Sequence, residues 1–176
     1  MGLLSSFDTN RDQFNNSGVS GKLVVNLSDF IVSGTPIGNA PWNGDFFTEL
    51  LSQKETLKSD QEGYELSTTK GVLTSAFITL EDFAGSFLIK SQLTPLSIHT
   101  TKEEITTLFG EPYWTDRDDG EIILFYEYRA GGIELQFEFP DGQHLGFITL
   151  MKDGILSVAN QRKSYGVTKP WPPEES

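Results

Sequence analysis

The sequence predicts an α+β protein made of two tandem units of about 70 residues, each a short helix followed by an antiparallel meander, packed as one body. Three observations carry this. Phe77-Ile78-Thr79-Leu80 recurs as Phe147-Ile148-Thr149-Leu150, and Gly63-Tyr64-Glu65-Leu66 recurs as Gly132-Ile133-Glu134-Leu135. Lys70-Gly71 and Asp141-Gly142 fall between these anchors in the same order. Self-similarity at a fixed period marks a repeated supersecondary unit. The boundaries that follow are an arm over 1–20, a first unit over 21–90, a second over 91–160 and a tail over 161–176.

The elements of the second unit follow in order. Thr100 or Thr101 offers an N-cap with Glu103 or Glu104 at capping-box spacing, and the carboxylates suit the positive helix end. Ile105, Leu108 and Phe109 form the apolar stripe, Gly110 ends the helix and Pro112 forbids its continuation. Four strands should follow: Glu121 to Arg129, Ile133 to Phe139, His144 to Lys152 and Ile155 to Ala159, broken at Gly131-Gly132, Asp141-Gly142 and Asp153-Gly154. In the first unit, Asp29 to Ser33 is a short strand and Asp45 to Leu57 is helical. Tyr64 to Thr69, Val72 to Leu80 and Phe83 to Gln92 are strands. Trp42 and Trp114 stand near the two helices, as core caps or exposed anchors. The proline-rich end, Lys169 to Ser176, cannot join a central strand and should be extended.

Charge narrows the function classes. Asp and Glu number 25 against 13 Lys and Arg, a net charge of −12. This excludes the basic footprint of a nucleic-acid binder and disfavours anionic membranes. Nine of those net charges lie between Glu103 and Asp141, which hold 11 acids against Arg117 and Arg129 (11 − 2 = 9). With a two-residue turn at Gly131-Gly132, Ile122, Leu124, Tyr126 and Tyr128 share the buried face with Ile133, Leu135, Phe137 and Phe139. Ile123, Phe125 and Glu127 then share an open, acidic face with Glu134, Gln136 and Glu138. The side on which Phe147 falls depends on one turn residue. Such a face is either a solvated sheet surface or a docking surface for a basic partner.

Catalytic patterns are missing. There is no cysteine, hence no disulfide scaffold and no thiolate site. His99 and His144 lack ligand spacing. Asp116-Arg117-Asp118-Asp119-Gly120-Glu121 fails as a calcium loop, since its Gly is fifth rather than sixth, and it reads as a solvated hairpin loop. No G-x-S-x-G, P-loop or dinucleotide fingerprint is present. The expectation is a protein that is not an enzyme and takes no cofactor or metal. No secretory leader or bilayer-length apolar run is seen, so a cytoplasmic location is expected.

Two units of helix plus meander resemble the β-lactamase-inhibitor-protein-like architecture. The run Leu108-Phe109-Gly110-Glu111-Pro112, followed by an acidic loop and the strand Ile122-Ile123-Leu124-Phe125-Tyr126, is similar to small bacterial immunity proteins. The secreted inhibitors carry disulfides and this chain has no Cys, which favours an intracellular version. The resemblance implies a non-enzymatic protein that blocks another, most concretely an immunity protein against a basic toxin domain. Its contact residues would be Glu103, Glu104, Tyr113, Trp114, Asp116, Asp118, Asp119, Glu121, Phe125, Glu127, Glu134 and Glu138. One alternative is a small α+β enzyme or metal-binding protein, with a site around Asp116, Asp118 and His144. Another is a structural subunit, which would expose a large apolar surface. The sequence leaves the oligomeric state open.

Overall fold

The computed structural model describes residues 22–38, 56–128 and 132–173. Within them the protein is mostly β, with two sheets and two short helices. The strands are β1 (Val24–Asn26), β2 (Ile31–Val32), β3 (Thr35–Pro36), β4 (Thr56–Ser59), β5 (Tyr64–Thr69), β6 (Val72–Thr79), β7 (Ser86–Ile89) and β8 (Gln92–Thr94). Helix α1 (Lys102–Phe109) precedes β9 (Trp114–Asp118), β10 (Glu121–Tyr128), β11 (Ile133–Phe139) and β12 (Phe147–Lys152). A 3₁₀ turn (Ile155–Ser157) and helix α2 (Ala159–Ser164) follow.

The larger sheet has the order β4-β5-β6-β12-β11-β10-β9 and is antiparallel throughout. At its centre β6 pairs with β12, so the two copies of Phe-Ile-Thr-Leu lie side by side with Ile78 opposite Ile148. The sheet therefore runs unbroken from the expected first unit into the second. The smaller sheet has the order β3-β2-β1-β7-β8, and its β1–β7 pair is parallel. Short two-residue turns with positive φ at both positions join β5 to β6 (Lys70-Gly71), β7 to β8 (Lys90-Ser91) and β9 to β10 (Asp119-Gly120). Their hand matches the strand twist.

One face of the large sheet carries Leu66, Ala76, Ile78, Ile148, Leu150, Leu135, Phe137, Leu124 and Tyr126. These join Val25, Val32, Phe87 and Ile89 of the small sheet in a single core. Helix α1 adds Ile105, fully buried, with Leu108 and Phe109 packed against the same core. Phe109, Tyr126 and Phe137 contact one another at ring-centroid distances of 5.1–5.8 Å. Of the two possible caps, Thr101 is the one used. Its hydroxyl accepts from the Glu104 amide at 3.2 Å, and the Glu104 carboxylate accepts from the Thr101 amide at 2.7 Å.

Several expectations are corrected. Phe83 to Gln92 is not one strand, because the chain reverses at Lys90-Ser91 into β8. Ile155 to Ala159 is not a closing strand but the 3₁₀ turn and the start of α2. The four-strand meander exists, but it is displaced by one strand, since Trp114 to Asp118, read as loop, forms the edge strand β9. Tyr128 rather than Ala130 stands opposite Ile133, two residues off the expected register. An even shift leaves every side chain on its expected face. The arm over 1–20, the helical segment of 45–55, and Trp42 lie outside the described residues. Thr56 and Leu57, expected to end that helix, belong to β4.

Thr101→Ala removes one partner of the capping box and should cost about 1 kcal/mol. Chemical denaturation checks this: a lower midpoint with an unchanged denaturant slope is expected.

Candidate functional site

The second face of the large sheet is where the acidic surface was expected. Strand register places Phe125 and Glu127 of β10 beside Gln136 and Glu134 of β11, with Ile123 beside Glu138. The sharing of faces is as the alternation predicted. The openness is not. Phe125 and Glu134 are both 0% exposed, and Glu127 and Glu138 are half-buried. The cover is the segment after β12. Its Leu156 is fully buried, and the Tyr165 ring stands edge-on to Phe125 at 5.2 Å. Phe125, Glu127, Glu134 and Glu138 are thus corrected as open-face residues. Ile155, Leu156, Tyr165 and Trp171 follow the last strand, and apolar groups so clustered favour burial against a neighbouring surface. They were the available signal for the cover.

Glu134 is the anchor of this cover. Its carboxylate accepts from the Ile155 amide at 3.0 Å, the Leu156 amide at 2.8 Å and the Gln136 Nε2 at 2.5 Å. Gly154 is required at the approach, since a Cβ there would come within 2.2 Å of the Glu134 Cβ. Directly across the strands, the Glu127 carboxyl faces Glu134. Burial first, then the neighbouring Glu134 side chain, push the Glu127 carboxyl up to about 10, against a smaller opposing effect from Arg162. At neutral pH Glu127 therefore keeps its proton. The Glu127 Oε1 atom is buried with no hydrogen-bond partner.

Further contacts tie the same segment down. Arg162 Nη1 donates to the carbonyls of Leu156 (2.7 Å) and Ser157 (2.9 Å), and its guanidinium lies 4.7 Å from the Trp171 ring centre. Tyr113 donates its hydroxyl to the Pro170 carbonyl at 2.9 Å and meets Trp171 edge-on at 5.8 Å. Trp114 Nε1 donates to the Tyr165 carbonyl at 3.0 Å. The two aromatic residues expected as partner anchors are half-buried and engaged within the chain. A cavity of about 170 Å³ opens here, lined by Glu127, Tyr128, Gly132, Asp153, Trp171 and Pro172 among others.

The remaining acids stay at the surface. Glu103 and Glu104 are exposed on α1, where Glu104 serves the capping box and Glu103 meets Lys102 at 3.3 Å. Asp118 and Asp119 are exposed, and Glu121 pairs with Asp118 across the β9–β10 hairpin. The Gly120 carbonyl would lie 2.6 Å from a Cβ on Gly142, so Asp141 belongs to the same sheet end. Among the described residues, no ion pair involves Asp116, Asp118, Asp119 or Glu121. An open groove of about 530 Å³ runs between the β9 edge and α2, lined by Asp116, Arg117, Asp118, Gln161, Ser164, Tyr165 and Gly166. His144 is not part of it. That side chain contacts Asp141 at 2.6 Å, and this contact, the Asp141 carboxylate's largest influence, holds it well below its ordinary range. Among the described residues no three His, Cys, Asp or Glu side chains are grouped to hold a metal, and no helix is long and apolar enough to cross a membrane. Their exposed large apolar side chains are Phe77, Leu93, Ile98 and Val158.

No protein-family model matches the chain, and no curated protein matches it. Among solved structures, a DUF4309 family protein, YjgB from Bacillus subtilis subsp. subtilis str. 168, is similar at 17% identity. The match covers 68% of this chain and 72% of that one, with a TM-score of 0.36.

Two outcomes follow from the carboxyl pair. Glu134→Ala leaves three donors without their acceptor and should cost about 3 kcal/mol. Amide hydrogen exchange at Ile155 and Leu156 should accelerate more than at β6. Glu127 carries a folded-state affinity for its proton far above the unfolded one. Its stabilising effect is complete below the ordinary carboxylate range near pH 4.5 and is lost as pH rises toward about 10. Glu127→Gln keeps the donor and removes the titration. It should gain about 1–2 kcal/mol at pH 8, after discounting for partial exposure. Thermal melts across pH should fall less steeply above pH 5 than those of the parent.

Proposed function

We propose that the chain is a non-enzymatic binding protein that neutralises a basic partner domain, as an immunity protein neutralises its toxin. The supporting observation is the sheet end formed by the β9–β10 hairpin. There Asp118, Asp119 and Glu121 sit close to Asp141, with no ion pair to any of the first three among the described residues. Charge of one sign left unneutralised on a rigid hairpin raises the encounter rate with an oppositely charged surface and rejects like-charged ones. Glu103 and Glu104 on α1 extend the acidic surface, and Asp116 lines the adjoining groove. Glu127 and Glu134 drop out of the docking surface and act within the fold. The two-unit architecture of the inhibitor-like proteins belongs to the same proposal, with the paired Phe-Ile-Thr-Leu strands as its supporting feature.

The test needs a defined partner, and the basic product of the neighbouring reading frame is the one to assay. Its association rate should fall about tenfold or more between about 50 and about 500 mM salt. Asp118→Lys with Asp119→Lys should slow association about tenfold while changing dissociation less. Binding indifferent to both salt and charge reversal, or no binding, overturns the proposal.

A further inference from the structure

Strand β9 ends the large sheet and, among the described residues, is the longest edge strand: five residues against four in β4, three in β8 and two in β3. It pairs with β10 along its whole length without a bulge. The two-residue turn at Asp119-Gly120, with positive φ at both positions, makes Asp118 and Glu121 a pair that exchanges both backbone hydrogen bonds. The alternation gives Asp116 and Trp114 the same bonds to Ile123 and Phe125. Thr115 and Arg117 fall between them, so their N–H and C=O groups point away from β10. Among the described residues, neither backbone has a partner on that outer side. The edge therefore offers two donors and two acceptors in the spacing of a strand.

Charge selects what can pair there. Asp116 and Asp118 stand opposite Ile123 and Glu121 on the second face, and both line the open groove between β9 and α2. Thr115 and Arg117 stand opposite Leu124 and Ile122 on the other face. From α2 the groove takes Gln161, Ser164 and Tyr165, which bring no cation into it. An exposed edge invites a second copy of the same chain. Antiparallel pairing of two copies about Arg117 sets Arg117 against itself and Asp116 against Asp118. Pairing about Asp116 sets that carboxylate against itself. Like charges directly opposite repel. An extended segment with basic residues at alternate positions meets no such repulsion on the second face. Its Lys or Arg side chains fall beside Asp116 and Asp118, and the residues between them reach the Thr115 and Arg117 backbone groups. We propose that β9 accepts an extended basic segment of the partner as an added strand. The proposal deepens the neutralising function and rests on that reading for the source of the segment.

The large sheet is antiparallel throughout, and an antiparallel addition fixes which amides of the segment are used. Residues opposite Thr115 and Arg117 exchange backbone bonds with them, and residues opposite Asp116 and Asp118 turn their N–H groups outward. The bonding amides of the segment therefore belong to its uncharged positions. Attraction between charges alone has no such preference. Arg117 separates the two effects further. Its side chain repels a basic segment, and its N–H binds one, so losing the charge and losing the N–H have opposite consequences. Proline is tolerated where an edge N–H faces outward, so Arg117→Pro breaks no bond to β10.

The experiment uses the free protein and synthetic peptides, so its failure is separable from failure of docking by the whole partner. A peptide alternating Thr and Lys, blocked at both ends, is titrated into the protein and followed by NMR. It should shift the Thr115 and Arg117 amides and protect them from exchange, and a Thr–Glu peptide of the same length should do neither. N-methylation of its Thr amides should abolish binding, and N-methylation of its Lys amides should retain it. Arg117→Pro should keep the melting temperature of the parent and weaken binding about tenfold or more. Arg117→Ala, which loses the same cation and keeps the N–H, should tighten binding about twofold. Asp116→Asn with Asp118→Asn should weaken it about fivefold. No binding, equal binding of the two N-methylated peptides, or equal binding to Arg117→Pro and Arg117→Ala each overturn the proposal. Binding that leaves the Thr115 and Arg117 amides unprotected overturns it too, as does their protection in the free protein by a second copy.

Discussion

A carboxylate with no exposure to solvent organises one side of this molecule. Glu134 sits on the second face of the large sheet and gathers the Ile155 and Leu156 amides, the Gln136 side chain and the Glu127 carboxyl around it. A carboxyl group buried this completely persists only if its hydrogen-bonding capacity is filled. The chain after β12 fills it by turning back across the sheet instead of adding another strand. The described residues just beyond Gly154 follow that return. Leu156 goes under cover, Tyr165 closes over Phe125, and Trp171 reaches Tyr113.

This arrangement divides the acids into two populations with different work. Glu127 and Glu134 are internal, and Glu127 keeps its proton at neutral pH. Asp118, Asp119 and Glu121 remain at the hairpin end of the sheet, and among the described residues no cation pairs with them. Only the second population can act on an approaching molecule at long range. A net charge of −12 is thus a sum over groups of which some are not displayed at all.

Much of the fold was legible because it rests on local signals. Thr101 and Glu104 specify the α1 start through their own backbone, and Lys70-Gly71 and Asp119-Gly120 specify turns through positive φ. The alternation in Ile133 to Phe139 assigned both faces of β11 correctly, and an even register error left β10 on the right side. What was not legible depends on distant segments. Nothing in Phe125 or Glu134 announces that Leu156 and Tyr165 will cover them. Trp114 to Asp118 carries too little apolar content to announce a strand, and it becomes one because β10 offers an edge. The composition of Ile155 to Ala159 predicts a strand, whereas Glu134 dictates a helical turn by accepting two successive amides.

The most direct measurement is the titration of the Glu127 side-chain carboxyl, followed by carbon NMR of the selectively labelled protein. Buried and set beside Glu134, Glu127 should remain protonated through neutral pH and titrate toward about 10. Titration near the ordinary glutamate value would contradict the account. It would mean that the second face of the sheet is open to water and that the C-terminal segment does not seal it.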